Sequence, residues 1–215
     1  MARSGRGPSP YVLMPDERPV AFLDANVLLP THLRAVFLDL AHAGLMRVHW
    51  GPRVLEELRH NLEKRFGLSA ARADTLLLSL ADAFPDALVS HRPGVERRLT
   101  EEGMIDAKDC HVAAGALRLS RSRNRVQRVA LVTQNIKDLP PRAFAGTAVH
   151  SLRPDTFLVA VLNAHPVAAT ILHDMIKRFR KPPLDQAAFL TVLDNARCSR
   201  FAEALANAWG YTAAH

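Results

Sequence analysis

Cysteine is scarce. The 215 residues contain two, Cys110 and Cys198, with no Cys-x-x-Cys spacing, which excludes a disulfide framework and a cysteine-based zinc site. The ten histidines are scattered, and no two stand at metal-ligand spacing. Aromatic residues make up only 6% of the chain, so aliphatic side chains and alanine must do the packing. No run approaches about 18 uninterrupted apolar residues, the length a membrane-spanning helix needs, so no membrane partner is expected. Unpaired cysteines fit a reducing cytoplasm. The opening stretch MARSGRGPSPYVLMPDERP lacks an apolar core long enough for a signal peptide. Its glycine, proline, serine and arginine predict a flexible leader over residues 1–18, outside the fold. Internal repeats are absent.

Hydrophobic residues, in contrast, make up 48% of the chain, enough for one sizeable core with room for an appendage. Lys and Arg number 28 against 21 Asp and Glu, a formal charge of +7. That balance favours a polyanionic partner, nucleic acid or an acidic protein, without choosing between them. A basic, solvated surface would give the same numbers.

Apolar patterning predicts strands at Val20–Leu23, 46–50, 128–135 and 148–152, with a weaker one at 87–90. Between them, helical periodicity runs over 31–43, from Pro52 through RVLEELRHNLEKRF, over 69–84 behind Ser69 as N-cap, and over Asp106–Leu119. Strands alternating with helices predict a parallel sheet covered on both faces, with functional side chains at the carboxyl ends of the strands. After about residue 153 the strand signals stop, and three helical stretches follow, each announced by proline or an Asp/Thr cap, with SRFAEALANAWG adding a fourth. The expected division is a leader over 1–18, an α/β unit over 19–153 and a helical extension over 154–215.

The stretch VAFLDANVLLP, residues 20–30, raises the chemical question. Asp24 interrupts a run that reads as buried, and a buried carboxylate needs compensation if it is to stay charged. Other acids stand at element ends: Glu57 (or its neighbour Glu56) in the second long helix, Asp106 and Asp109 before DCHVAAGAL, and Asp138 beyond the clearest strand. Each has an ordinary explanation as a cap, a turn residue or solvated surface. Converging on one crevice, they would repel one another unless a cation neutralised them. An all-oxygen set suits Mg²⁺ or Mn²⁺, which can activate water and stabilise an in-line displacement at phosphorus.

Four stretches, FLDANVLLP, VLEELRHNL, DAKDCHVAAGAL and VTQNIKDLP, occur in that order. With them the chain resembles the PIN-domain ribonucleases, and most closely the VapC-type toxins of bacterial toxin–antitoxin pairs. The resemblance spans roughly residues 20–155, and the helical remainder looks like the C-terminal extension of one branch of these toxins. It implies an α/β/α sandwich with a central parallel sheet and Mg²⁺- or Mn²⁺-dependent cleavage of structured RNA such as tRNA or rRNA. It also implies a cognate antitoxin partner and a homodimer. Asp24 matches the family's first acid, Asn26 its companion amide, Glu57 the helix acid and Asp109 the third acid, and these three acids would hold the metal. Asp106 is expected one helical turn before Asp109. Where many members have Thr-x-Asp, this chain has Thr133-Gln134-Asn135. Asp138 is the candidate to replace the missing carboxylate, and one metal ion is favoured over two. Asn26, Thr133 and Asn135 would orient water.

The arginine-rich stretch RLSRSRNRVQR offers Arg121, Arg123 and Arg125 as candidate RNA contacts, flanked by Arg118 and Arg128. His111 reads as structural, because residues two apart on a helix point away from each other. Two rivals stand beside the nuclease. A phosphatase of the haloacid-dehalogenase kind needs Asp-x-Asp after its first strand, and Asp24-Ala25-Asn26 lacks the second acid. A catalytically weak PIN module that binds RNA or protein is the other.

Overall fold

The computed structural model describes residues 11–121, 126–180 and 182–211. Its centre is four short parallel strands, β1 (Val20–Leu23), β2 (Arg47–His49), β3 (Val129–Val132) and β4 (Val149–Leu152), ordered β2-β1-β3-β4. Every residue of β1 and β3 is buried, which explains why those strands read as continuous apolar runs rather than alternating ones. Leu23 stands beside Val132 in the register, so β1 and β3 end side by side.

Ten helices among the described residues cover this sheet. After β1 come α1 (Ala25–Leu28) and α2 (Thr31–His42). Between β2 and β3 lie α3 (Pro52–Phe66), α4 (Ala70–Ala83), α5 (Pro93–Glu102) and α6 (Cys110–Ser120). From β1 the chain crosses to β2 on one side, and from β2 it returns past β1 to β3. Right-handed crossovers therefore put α2 and α6 on opposite faces. The arrangement is the expected α/β/α sandwich with a central parallel sheet. The approach of α6 depends on Gly115, where a Cβ would lie 2.3 Å from Phe22 Cζ on β1. Only a residue without a side chain lets the helix lie this close.

The chain ends in α7 (Pro154–Ala164), α8 (Ala168–Ile176), α9 (Gln186–Asn195) and α10 (Ser199–Ala208), as the periodicity predicts. They complete the core. Phe157 of α7 stacks on Phe37 of α2 with ring centroids 5.8 Å apart. Buried Asp155 accepts a hydrogen bond from Phe201 N at 2.8 Å, tying α10 to α7. Asp185 caps α9 by accepting from Ala188 N at 2.7 Å. Among the described residues no single helix is long and apolar enough to cross a membrane. Only α7 and α8 together pass such a test, as a pair bent by 117°.

Four expectations are corrected. The strand at 87–90 is reduced to one parallel bridge, Trp50 to Leu88, because only Trp50 offers it a backbone partner. The helix expected from Asp106 begins at Cys110. The Asp106 carboxylate accepts from Lys108 N at 3.1 Å and Asp109 N donates to Asp106 O at 2.8 Å, a local turn that competes with helix. The segment Pro93–Glu102 forms α5 without having signalled a helix, since Val95 and Leu99 are its only large apolar residues. Tyr11 and Leu13, inside the stretch set aside as a leader, are buried. The Tyr11 ring packs on His150 and Phe157 and carries the Arg128 guanidinium 4.0 Å from its centroid.

Candidate active site

Asp24 is the residue after β1 and Thr133 the residue after β3, so the pairing of those strands brings the two side chains together. Thr133 Oγ1 donates to Asp24 Oδ2 at 2.7 Å. Asn26 Nδ2 donates to the same carboxylate oxygen at 2.5 Å and to Thr133 Oγ1 at 3.1 Å. Asn26 Oδ1 accepts from Gln134 N at 2.9 Å, and Asn135 N donates to Thr133 Oγ1 at 2.9 Å. The amide and hydroxyl expected to orient water are thus engaged in fixing one oxygen of Asp24 and in joining the ends of β1 and β3. With only 4% of its surface exposed, Asp24 is pushed above the ordinary carboxylate range by burial, and the bonds from Thr133 and Asn26 only partly offset this.

Two more carboxylates lie near enough for the charge of Asp24 to act on them. Asp109 stands at the N-cap position of α6, and Glu57 projects from the middle of α3. Burial first, then the charge of Asp24, raises Asp109 to about 6. Burial, then Asp24, then Asp109 raise Glu57 to about 7. Glu56, the alternative, is exposed. Asp109 Oδ2 is buried with no hydrogen-bond partner, a costly state for a carboxylate oxygen. Three acids with raised pKa, two of them raised in part by the charge of Asp24 and one with an orphaned oxygen, form a centre short of positive charge. A hard divalent cation with oxygen ligands fits it by chemistry. As the side chains stand, no three His, Cys, Asp or Glu residues among the described ones are grouped tightly enough to chelate an ion.

The other two acids form a rim. Asp138 accepts from Asn135 Nδ2 at 2.7 Å and lies 3.1 Å from Lys108 Nζ. Asp106 Oδ2 is 3.6 Å from the same ammonium. Hydrogen bonds from Asn135 and Lys108 hold Asp138 below the usual carboxylate range. Asp106 belongs to the turn ahead of α6 rather than to its face.

Two residues that the sequence reading does not assign to the centre lie beside it. Lys108 is one; its only signal was a basic residue between two acids in DAKD. His111 is the other. It is buried, its Nδ1 donates to Lys108 O at 2.8 Å, and its Nε2 lies 3.2 Å from Glu57 Oε1 without hydrogen-bond alignment. Burial, then the charge of Arg53, lowers its pKa. Its Nε2 is directed toward Glu57.

Of the candidate RNA contacts, Arg121 is exposed and joins Arg92, Arg98 and Arg118 around a groove of about 590 Å³ between α5, α6 and residues 143–147. Arg123 and Arg125 lie outside the described residues.

Comparison with known proteins reaches only the end of the chain. Residues 154–207 match the family model of the VapC50 C-terminal domain. The helical segment is similar to a VapC domain. The match begins at the first residue of α7, runs through α10, and leaves the strands and acids of residues 20–153 unmatched. No curated protein and no solved structure matches the chain.

Proposed function

We propose that this chain is a metal-dependent endoribonuclease of the PIN-domain, VapC type, the toxin of a toxin–antitoxin pair, with Mg²⁺ or Mn²⁺ as its ion. One observation carries the reading: near the carboxyl end of the parallel sheet Asp24, Glu57 and Asp109 all have raised pKa values, the latter two in part through the charge of Asp24. A structural role does not account for such a cluster, because three facing acids left unneutralised only destabilise the fold. The similarity of residues 154–207 to the VapC50 C-terminal domain supports the same reading from a different part of the chain.

In this proposal Asp24, Glu57 and Asp109 hold the ion. When bound, a divalent ion supplies positive charge for the phosphodiester and lowers the pKa of water. The chain's own residues do the rest. Thr133 and Asn26 lock Asp24 Oδ2, so the carboxylate is presented in one orientation. His111 packs against Glu57. The basic surface represented by Arg121 holds the phosphate backbone of an RNA substrate.

The test is cleavage of structured RNA by purified protein with and without Mg²⁺ or Mn²⁺, beside Asp24→Asn and Asp109→Asn. Metal-dependent cutting that both substitutions abolish is the expected result. Equal cutting by wild type and variants would sink the site assignment. A second reading, a PIN module that only binds RNA or protein, draws on Asn135 standing where a fourth carboxylate is expected and on acids not drawn together into a chelating group. A folded wild type that neither cuts RNA nor binds Mn²⁺ in calorimetry would favour it.

A further inference from the structure

Among the described residues, Lys108 is the cation whose ammonium lies within 4 Å of both rim acids, and its backbone is held at both ends. Lys108 N donates to Asp106 Oδ1 at 3.1 Å. Lys108 O accepts from the buried His111 at 2.8 Å. From this fixed base the ammonium reaches Asp138 at 3.1 Å and Asp106 at 3.6 Å, beside Asp109. Asp138 is in turn turned toward Lys108 by the Asn135 amide at 2.7 Å. Asn135 therefore donates where a carboxylate would accept, and the acid it positions is satisfied by an ammonium. With its side chain 63% exposed, Lys108 is not part of the core, so packing does not explain its placement.

We propose that Lys108 is a tethered cation that supplies the positive charge a second divalent ion would otherwise bring, so that the acid centre takes a single ion. This rests on the metal-nuclease reading and adds to it. An ammonium beside the acids opposes the incoming ion, and once the ion is bound the same ammonium adds to the positive field over the phosphodiester. Its loss should therefore move metal affinity and cleavage in opposite directions. A merely structural residue would weaken both or neither.

The experiment is Mn²⁺ titration by calorimetry together with RNA cleavage at saturating Mn²⁺, on wild type, Lys108→Met and Lys108→Arg. Wild type is expected to bind one Mn²⁺. Lys108→Met is expected to bind Mn²⁺ roughly tenfold tighter, the scale of losing one like charge across a partly solvated site, and to cut at least about tenfold more slowly. Lys108→Arg should restore both values toward wild type. Melting temperature, read in parallel, should be unchanged in both variants. Weaker or unchanged Mn²⁺ binding in Lys108→Met, unslowed cutting by it, or two ions bound by wild type would each overturn the proposal while leaving the nuclease reading intact. No Mn²⁺ binding by any form would remove the nuclease reading and the tethered cation with it.

Discussion

Two buried acids, one in the sheet region and one in the helical segment, end up in opposite circumstances. Asp155, at the start of α7, is 8% exposed and gives a carboxylate oxygen to Phe201 N; a backbone amide meets it and two helices are joined. Asp24, 4% exposed, has one oxygen fixed by Thr133 and Asn26, yet its charge acts on Glu57 and Asp109, and all three are raised in pKa. The first acid is a fastening within the helical segment. The second belongs to a centre that holds more negative charge than its own neighbours neutralise. Burial alone does not distinguish these two acids; the remaining unmet charge does.

The contrast can be broken most sharply by neutralising each acid. Asp24→Asn and Asp109→Asn should reduce RNA cleavage at least about 100-fold, while the metal-free melting temperature stays the same or rises. Asp155→Ala should do the reverse. It should lose about 1–3 kcal/mol of stability by orphaning Phe201 N, read in a denaturant melt, while cleavage below the transition is retained. If Asp24→Asn melts lower than wild type without metal, the two acids are alike after all.

A smaller effect probes the surface that delivers Asp109 to the site. Gly115→Ala places a methyl against the Phe22 ring and should cost about 1–3 kcal/mol, as overpacking does. Displacement of α6 should also weaken Mn²⁺ binding, because Asp109 stands at the head of that helix. Unchanged stability and metal affinity would show that α6 does not depend on this contact.

The acids also predict a pH dependence of the metal-free protein. With Asp109 at about 6 and Glu57 at about 7, the folded state keeps protons that the unfolded chain has already released. Their stabilising contribution is therefore full below the ordinary carboxylate range and is lost as pH rises from about 4 to about 7. Melting temperature in chelator should fall across that window, and Mn²⁺ should flatten the fall. A melting temperature that rises with pH in chelator would contradict the cluster. The smallest effect belongs to Arg121→Ala, which should lower the salt slope of RNA binding by about one, measured by filter binding across salt concentrations.

Part of this site is legible in sequence because its signals are local. An acid inside an apolar run marks Asp24, strand ends mark Thr133 and Asn135, and the α6 pattern marks Asp109. The motif resemblance already favours Glu57 over Glu56, and the rotation of α3 leaves Glu56 exposed. Lys108 and His111 carried almost no signal, since their roles depend on where a turn stops and where a helix starts. That boundary moved from Asp106 to Cys110 through a side-chain hydrogen bond that competes with helix formation.

By itself, then, the sequence determined the layered parallel sheet, the four closing helices and the three candidate acids, two at the ends of elements and one within α3, because periodicity and the cost of burying charge act on short stretches of chain. Only the tertiary structure decided which acids face one another, which of them a neighbouring amide or ammonium satisfies, and which are left without a counter-charge. Those are properties of distances between residues far apart in the chain. They are set here by the alignment of β1 with β3 and by α6 lying on β1 at Gly115.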